Sequence, residues 1–155
     1  MPVVAAGGIA DARGIVAAFA LGAEGVQIGT AFLACEGSGA SDAHREALLK
    51  GKAGRTALTR GFTGRLARAI RNQLLDAMNA PDVEILPYPL QRFLMRSVSG
   101  PAEKSGRPEF IPMWSGQSAN LILHGRVKEF LDGLVSGVSG LLRERRLDAP
   151  GKPGG

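Results

Sequence analysis

Two short apolar runs, each ending in glycine and separated by one helix-length of chain, limit this sequence more than any other feature. Pro2-Val3-Val4-Ala5-Ala6 is apolar at every position, the pattern of a parallel strand covered on both faces. Gly7-Gly8 then breaks the run. Asp11 stands where a helix N-cap belongs, and Ala12 to Leu21 places Ile15, Val16 and Phe19 along one side. Gly22 is placed to end that helix in a left-handed conformation. Gly25-Val26-Gln27-Ile28 reads as the next strand, followed by Gly29-Thr30. Strand, helix and strand in this order call for parallel pairing through a right-handed crossover.

The glycines at both strand ends carry a chemical implication. Without a Cβ, backbone N–H groups can close on an anion and adopt positive φ without penalty. Consecutive N–H groups form an anion nest, a helix N-terminus adds a favourable dipole, and Thr30 adds a hydroxyl donor. In (β/α)8 barrels the loops after the last two strands frequently build a phosphate site in this way. A second reading is open: Gly7-Gly8 as a tight strand-to-helix turn and Gly29 as a packing glycine. The G-x-G-x-x-G spacing of a dinucleotide fold is absent after the first strand.

Further along, Ser41 is a candidate cap for a short helix through Leu49, and Leu66 to Met78 has helical spacing with Arg65, Arg68 and Arg71 outward. Pro81 to Pro89 reads as a linker and Leu90 to Val98 as a helix. Ser99 to Pro112 reads as a loop, and Ser118 to Arg146 as a helical segment interrupted by glycines. The expected domains are 1–36 (the βαβ part of a barrel), 37–112 (a small, mostly helical second domain), 113–146 (a helical return segment) and 147–155 (a disordered tail).

A net charge of +5 favours anionic ligands, but with 5% aromatic residues the chain is poorly supplied for stacking on nucleic acid, so no nucleic-acid partner is expected. No apolar run reaches the length of a membrane span and the N-terminus lacks a signal-peptide pattern. A single cysteine, Cys35, rules out an internal disulfide and fits a reducing cytoplasm. His44 reads as exposed on its short helix and His124 as part of a helical pattern, neither with the partners that a catalytic base needs.

The segment AAGGIADARGIVAAFALGAEGVQIGTAFL resembles the phosphate-binding part of the nitronate monooxygenases (2-nitropropane dioxygenases) and is similar to that of FMN-dependent enoyl-ACP reductases. LTRGFTGRLARAIRN, PYPLQ and PMWSGQSA tilt the resemblance toward the nitronate monooxygenases. It implies an α/β fold, the C-terminal portion of a (β/α)8 TIM barrel, and a family that uses FMN to oxidise alkyl nitronates with O2 to a carbonyl compound and nitrite. By the same resemblance the FMN phosphate contacts fall on Gly8 and on Gln27, Ile28, Gly29 and Thr30, with Gly7 a neighbouring candidate. Gln27 reads equally as a polar residue in a barrel layer. Trp114 and Gln117 are candidates for a substrate pocket, with core packing as the other reading.

The resemblance also implies that the chain starts at the seventh barrel strand and lacks the family's catalytic histidine in its A-G-G-H-type motif. The expectation is a chain inactive alone, weakly flavin-binding and prone to associate; a homo-oligomer is compatible with this. The alternatives are an NAD(P)H-dependent flavin reductase of the same superfamily, acting on quinones or enoyl thioesters, and a non-catalytic remnant. The basic stretch Arg55 to Arg71 is either a solvated helix face or a surface that steers an anionic nitronate.

Overall fold

The computed structural model describes residues 1–50 and 55–147, with side chains to residue 144. Its elements run β1 (Val4–Ala6), α1 (Ala12–Ala20), β2 (Gly25–Gln27), α2 (Thr30–Leu33), α3 (Asp42–Leu49), β3 (Thr56–Thr59), β4 (Ala67–Ile70), α4 (Gln73–Met78), α5 (Leu90–Lys104) and α6 (Val127–Leu147). Single 3-10 turns occupy Pro108–Phe110 and Ala119–Leu121. Among the described residues, no helix is long and apolar enough to cross a membrane.

The first thirty residues fold as their local signals require. β1 and β2 pair in parallel with Val4 opposite Gly25 and Ala6 opposite Gln27. Asp11 caps α1 by accepting the Gly14 N–H at 2.9 Å, and Gly22 follows the helix at φ +96°. Burial by itself would raise the Asp11 pKa, but the Gly14 amide and the Arg13 guanidinium together hold it below the usual value. The expected cover over the first strand is not found: Val3 and Val4 are exposed. β1 has one neighbour among the described strands and pairs with it alone.

The second region differs from expectation in one important place. Leu66 to Met78 is not a helix. β3 and β4 form an antiparallel hairpin with Thr56 opposite Ile70 and Thr59 opposite Ala67. A fresh helix, α4, starts after Asn72, whose side chain accepts the Leu75 N–H at 3.0 Å. Leu66, Ala69 and Ile70 satisfy helical spacing, but the β-branched Thr56 and Thr59 supply a partner strand and Asn72 cuts the helical run. The arginines thus decorate a hairpin: Arg65 stacks on Tyr88 with 4.2 Å to the ring centroid, and Arg71 pairs with Asp76 at 2.6 Å. α5 continues past Val98 to Lys104, replacing the first part of the expected 99–112 loop.

The expected helical return segment also needs correction. The chain is extended from Ile111 and becomes helical, apart from the 3-10 turn, only at Val127. Extended backbone sends alternate side chains to opposite faces. Met113 enters a core with Ala31, Cys35, Leu48, Ile70 and Phe130, while Trp114 packs on a second core of Phe62, Ala69, Leu74, Leu75 and Met95. This strap joins the two halves of the molecule. α6 then packs along α1, with Gly137 so close to Ala12 that a Cβ there would lie 2.8 Å from its Cβ. Leu147 closes α6 rather than opening a disordered tail; the remaining tail positions lie outside the described residues.

Candidate functional site

Parallel pairing fixes the relation of the two glycine turns. Ala6 stands opposite Gln27, so Gly7-Gly8 and Ile28-Gly29-Thr30 leave the same end of neighbouring strands. Gly7 and Gly8 have φ +88° and +72°, a region that only glycine enters cheaply. Gly29 does not share this conformation: it sits at φ −105°, ψ −65° as the N-cap of α2. A Cβ there would meet nothing within 4 Å, so the fold itself does not require glycine at this position. Gly7, Gly8 and Gly29 are exposed. Among the described residues, the loop and cap hydrogen bonds use none of the N–H groups of Gly7, Gly8, Gly29 or Thr30. The three glycines among them lie exposed at one end of the strand pair, with Thr30 half-buried beside them.

Helix ends contribute less to the site than the sequence suggests. The N-terminus of α1 is already capped by its own Asp11 carboxylate, and α2 has only four residues. The site is therefore built from turn amides and a hydroxyl, with little help from helix ends.

The other candidates divide. Gln27 is exposed at the end of β2, and Ile28 packs its side chain against the first core, leaving only its backbone for a ligand. The Trp114 ring meets Phe62 edge-on at 5.4 Å; Trp114 lines a cavity of about 280 Å³ against the hairpin and α5, and another of about 260 Å³ between the stretch before α3 and α5. Gln117 is exposed on the strap. A roomier cavity of about 530 Å³ lies between α3, β4 and the strap, and no turn residue lines it. Its lining sets Glu46 and Glu109 beside Arg55 and an Arg71 already paired with Asp76, so the carboxylates oppose an anion there.

The strap supplies what sequence reasoning missed. The Gly116 N–H donates to Thr30 Oγ1 at 2.9 Å, and the Ser118 hydroxyl donates to the Gly8 carbonyl at 2.6 Å. One short segment is thus bonded to both turns. Upstream it is held by the second region: the Ile70 N–H donates to Met113 O at 2.8 Å and the Ser115 N–H to Arg68 O at 3.2 Å. The only signal in the sequence was the string WSGQS itself, whose small and polar residues permit close backbone approach.

Neither histidine stands at the turns. His44 is buried, contrary to its expected exposure, and its Nε2 lies 2.7 Å from the Trp114 carbonyl, to which it must donate. Burial holds its pKa below the ordinary 6.5, with the carbonyl bond acting in the opposite direction. The ring is a neutral pin between α3 and the strap. His124 is half-buried in the stretch before α6 and not in a helix; it lines a cavity of about 260 Å³ with Asp11 and Arg13. Cys35 is buried, and burial raises its pKa, which keeps it an inert thiol.

Comparison with known proteins places these features in context. A family model described as nitronate monooxygenase matches residues 1–137. A protein of Staphylococcus haemolyticus named probable nitronate monooxygenase is 44% identical over 142 residues, covering 92% of this chain and 40% of that protein. Among solved structures, nitroalkane oxidase from Streptomyces ansochromogenes superposes with a TM-score of 0.83 at 34% identity, covering 93% of this chain and 41% of that one. FabK from Thermotoga maritima gives a TM-score of 0.74 at 34% identity, covering 94% and 47%. The chain spans about 40% of the length of the curated relatives it matches.

Proposed function

This chain belongs to the nitronate monooxygenase family, and from that premise we propose that it forms the FMN-phosphate-binding part of a barrel flavoenzyme acting on alkyl nitronates. One observation carries the reading: two glycine turns, with exposed amides, at the same end of a parallel strand pair. A phosphomonoester is close to a dianion at neutral pH and offers only acceptors. The amides of Gly7, Gly8, Gly29 and Thr30 are donors only, as is complementary. The left-handed Gly7 and Gly8 support the fit, because side chains at these positions would strain the turn that presents the amides.

Bound FMN would supply the redox chemistry, carrying electrons from the nitronate to O2, with a carbonyl compound and nitrite as the expected products. The chain's own residues bind and orient. Gly7, Gly8, Gly29 and the Thr30 hydroxyl hold the phosphate end, and the Gln27 and Ile28 backbone borders it. Trp114 and Gln117 lie on the strap that is bonded to both turns, and in this reading they are the candidates for the substrate side of the site. Among the described residues, neither histidine lies at the turns: His44 is bonded to the Trp114 carbonyl and His124 lines a separate cavity. The protein acts as the anchoring part of a catalyst.

The test is gel filtration of the 155-residue chain with FMN or with riboflavin, followed by dioxygen uptake with an alkyl nitronate. FMN alone is expected to co-elute, and uptake is expected to stay at the buffer rate. Equal retention of both flavins would remove the phosphate assignment. Turnover of the nitronate would show that the chain oxidises it unaided and would overturn the reading of an anchoring part. Anaerobic bleaching of retained FMN by NADH would move the assignment to an NAD(P)H-dependent flavin reductase.

A further inference from the structure

We propose that Gly116 and Ser118 are positioning residues for the phosphate site, a clip that fixes the direction of its hydrogen bonds. The proposal rests on the phosphate reading above and concerns residues that this reading does not use.

Direction follows from what each atom can do. The Gly116 amide can only donate, and it donates to Thr30 Oγ1. That bond occupies an oxygen lone pair and leaves the Thr30 hydroxyl hydrogen for another acceptor. Among the described residues, the hydroxyl donates to none. Thr30 is thereby set as a donor toward whatever occupies the turn. Being polarised by the bond it receives, the hydroxyl is a better donor than a free one.

Ser118 acts on the other turn. Two successive glycines make a backbone with little steric preference between alternative peptide orientations. The Ser118 hydroxyl donates to the Gly8 carbonyl at 2.6 Å and selects one of them. Having given its hydrogen to Gly8, Ser118 has none left for a phosphate, so its role is to position and not to bind. A serine opening a 3-10 turn would ordinarily accept a backbone amide of that turn; here no such cap bond is made and the hydroxyl reaches Gly8 instead.

The two bonds span 86 and 110 residues of sequence, yet their strap ends lie two residues apart. Strand pairing brings the two turns side by side, and the Gly116–Ser118 backbone ties them to each other at the loop level. A Cβ on Gly116 would come within 3.1 Å of Thr30 Oγ1, so the position also favours a bare backbone. With these directions fixed, the site presents donors and takes an acceptor-only oxyanion, a dianionic phosphate monoester.

The test measures FMN and riboflavin dissociation constants by flavin fluorescence for the chain and its variants, alongside melting curves. Ser118→Ala is expected to weaken FMN binding by about 5- to 10-fold, the size of one hydrogen bond, with riboflavin unchanged. Ser118→Thr keeps the hydroxyl and should restore the FMN preference. Thr30→Val keeps the shape, removes the donor and is expected to cost FMN about 10- to 100-fold, with Thr30→Ser restoring it. An unchanged FMN-to-riboflavin ratio in Ser118→Ala, equal weakening of both flavins, or failure of Ser118→Thr to restore the preference would overturn the clip. If Ser118→Ala does not fold, the Thr30→Val and Thr30→Ser pair decides the matter, since a preference unaltered in Thr30→Val would overturn the clip equally. A wild-type chain without FMN preference would overturn the phosphate reading and the clip together. A wild-type preference retained in Ser118→Ala would overturn the clip alone, whereas one retained in Thr30→Val would also remove the Thr30 hydroxyl from the phosphate site.

Discussion

The parallel pair β1–β2 and the antiparallel hairpin β3–β4 contain two strands each and are buried to opposite degrees. Val3 and Val4 are 56% and 59% exposed, whereas Ala69 and Ile70 are 0% and 3% exposed. The hairpin region is finished within the chain: its apolar face meets α4, α5 and the strap. The parallel pair presents apolar side chains along its strands and open amides at its end. Buried backbone groups must find partners inside the protein, whereas exposed ones at a strand end can meet a ligand or solvent.

If that contrast is right, glycines in the two regions should respond unequally to a methyl group. Gly64, at φ +86°, has no room: a Cβ would lie 2.6 Å from Leu86 O and 2.7 Å from Tyr88 N. Gly64→Ala is expected to cost about 3 kcal/mol or more in urea unfolding. Gly7 faces open space, so Gly7→Ala should cost about 1–2 kcal/mol, the left-handed penalty alone. Equal losses would erase the distinction.

A buried polar side chain tests the same point. Gln91 is fully buried, donates to Gly61 O at 2.6 Å and accepts the Leu86 N–H at 3.0 Å. Gln91→Leu strands both backbone groups, and a loss of about 2–3 kcal/mol is expected, with flavin binding retained. Loss of FMN with intact stability would mean that the second region, too, serves the ligand.

The histidine pin offers a milder probe. The His44 pKa is depressed in the folded protein, so the unfolded chain takes up a proton first as pH falls below the ordinary 6.5. Its contribution to stability is complete above that value and declines as pH drops toward the folded pKa. Melting temperature should therefore fall between pH 7.5 and 5.5, less steeply in His44→Gln. Identical slopes would show that the ring titrates alike in both states.

Smallest in stability is Val4→Lys, expected within about 0.5 kcal/mol because the side chain is exposed. Its effect belongs to association, since a charge on an open strand face opposes pairing with another chain. Sedimentation should show less self-association than in the parent chain; no difference would mean that the exposed strand is not the sticky surface.

How much of this was legible beforehand follows from the range of each interaction. Asp11, Gly22 and Ser41 act within a turn of themselves, and their helices fall where the sequence places them. The hairpin was not legible, because the apolar spacing of 66–70 fits both periods and the deciding partner, Thr56–Thr59, lies on another strand. The α5 extension was hidden by Gly100-Pro101, normally a stop signal, which the helix nevertheless contains. At the site, the glycines and Thr30 could be read from strand ends. Gly116 and Ser118 could not, because their partners lie 86 and 110 residues away.

The central claim is that bare amides at one end of β1–β2 grip a phosphate, and amide NMR tests it most directly. Isotope-labelled chain titrated with FMN, and separately with inorganic phosphate, should show the largest shifts at Gly7, Gly8, Gly29 and Thr30. Gly61 and Gly64 of the hairpin turn should stay in place. Shifts concentrated instead around Arg55, Arg71 and the 530 Å³ cavity, with the strand-end glycines unmoved, would contradict it.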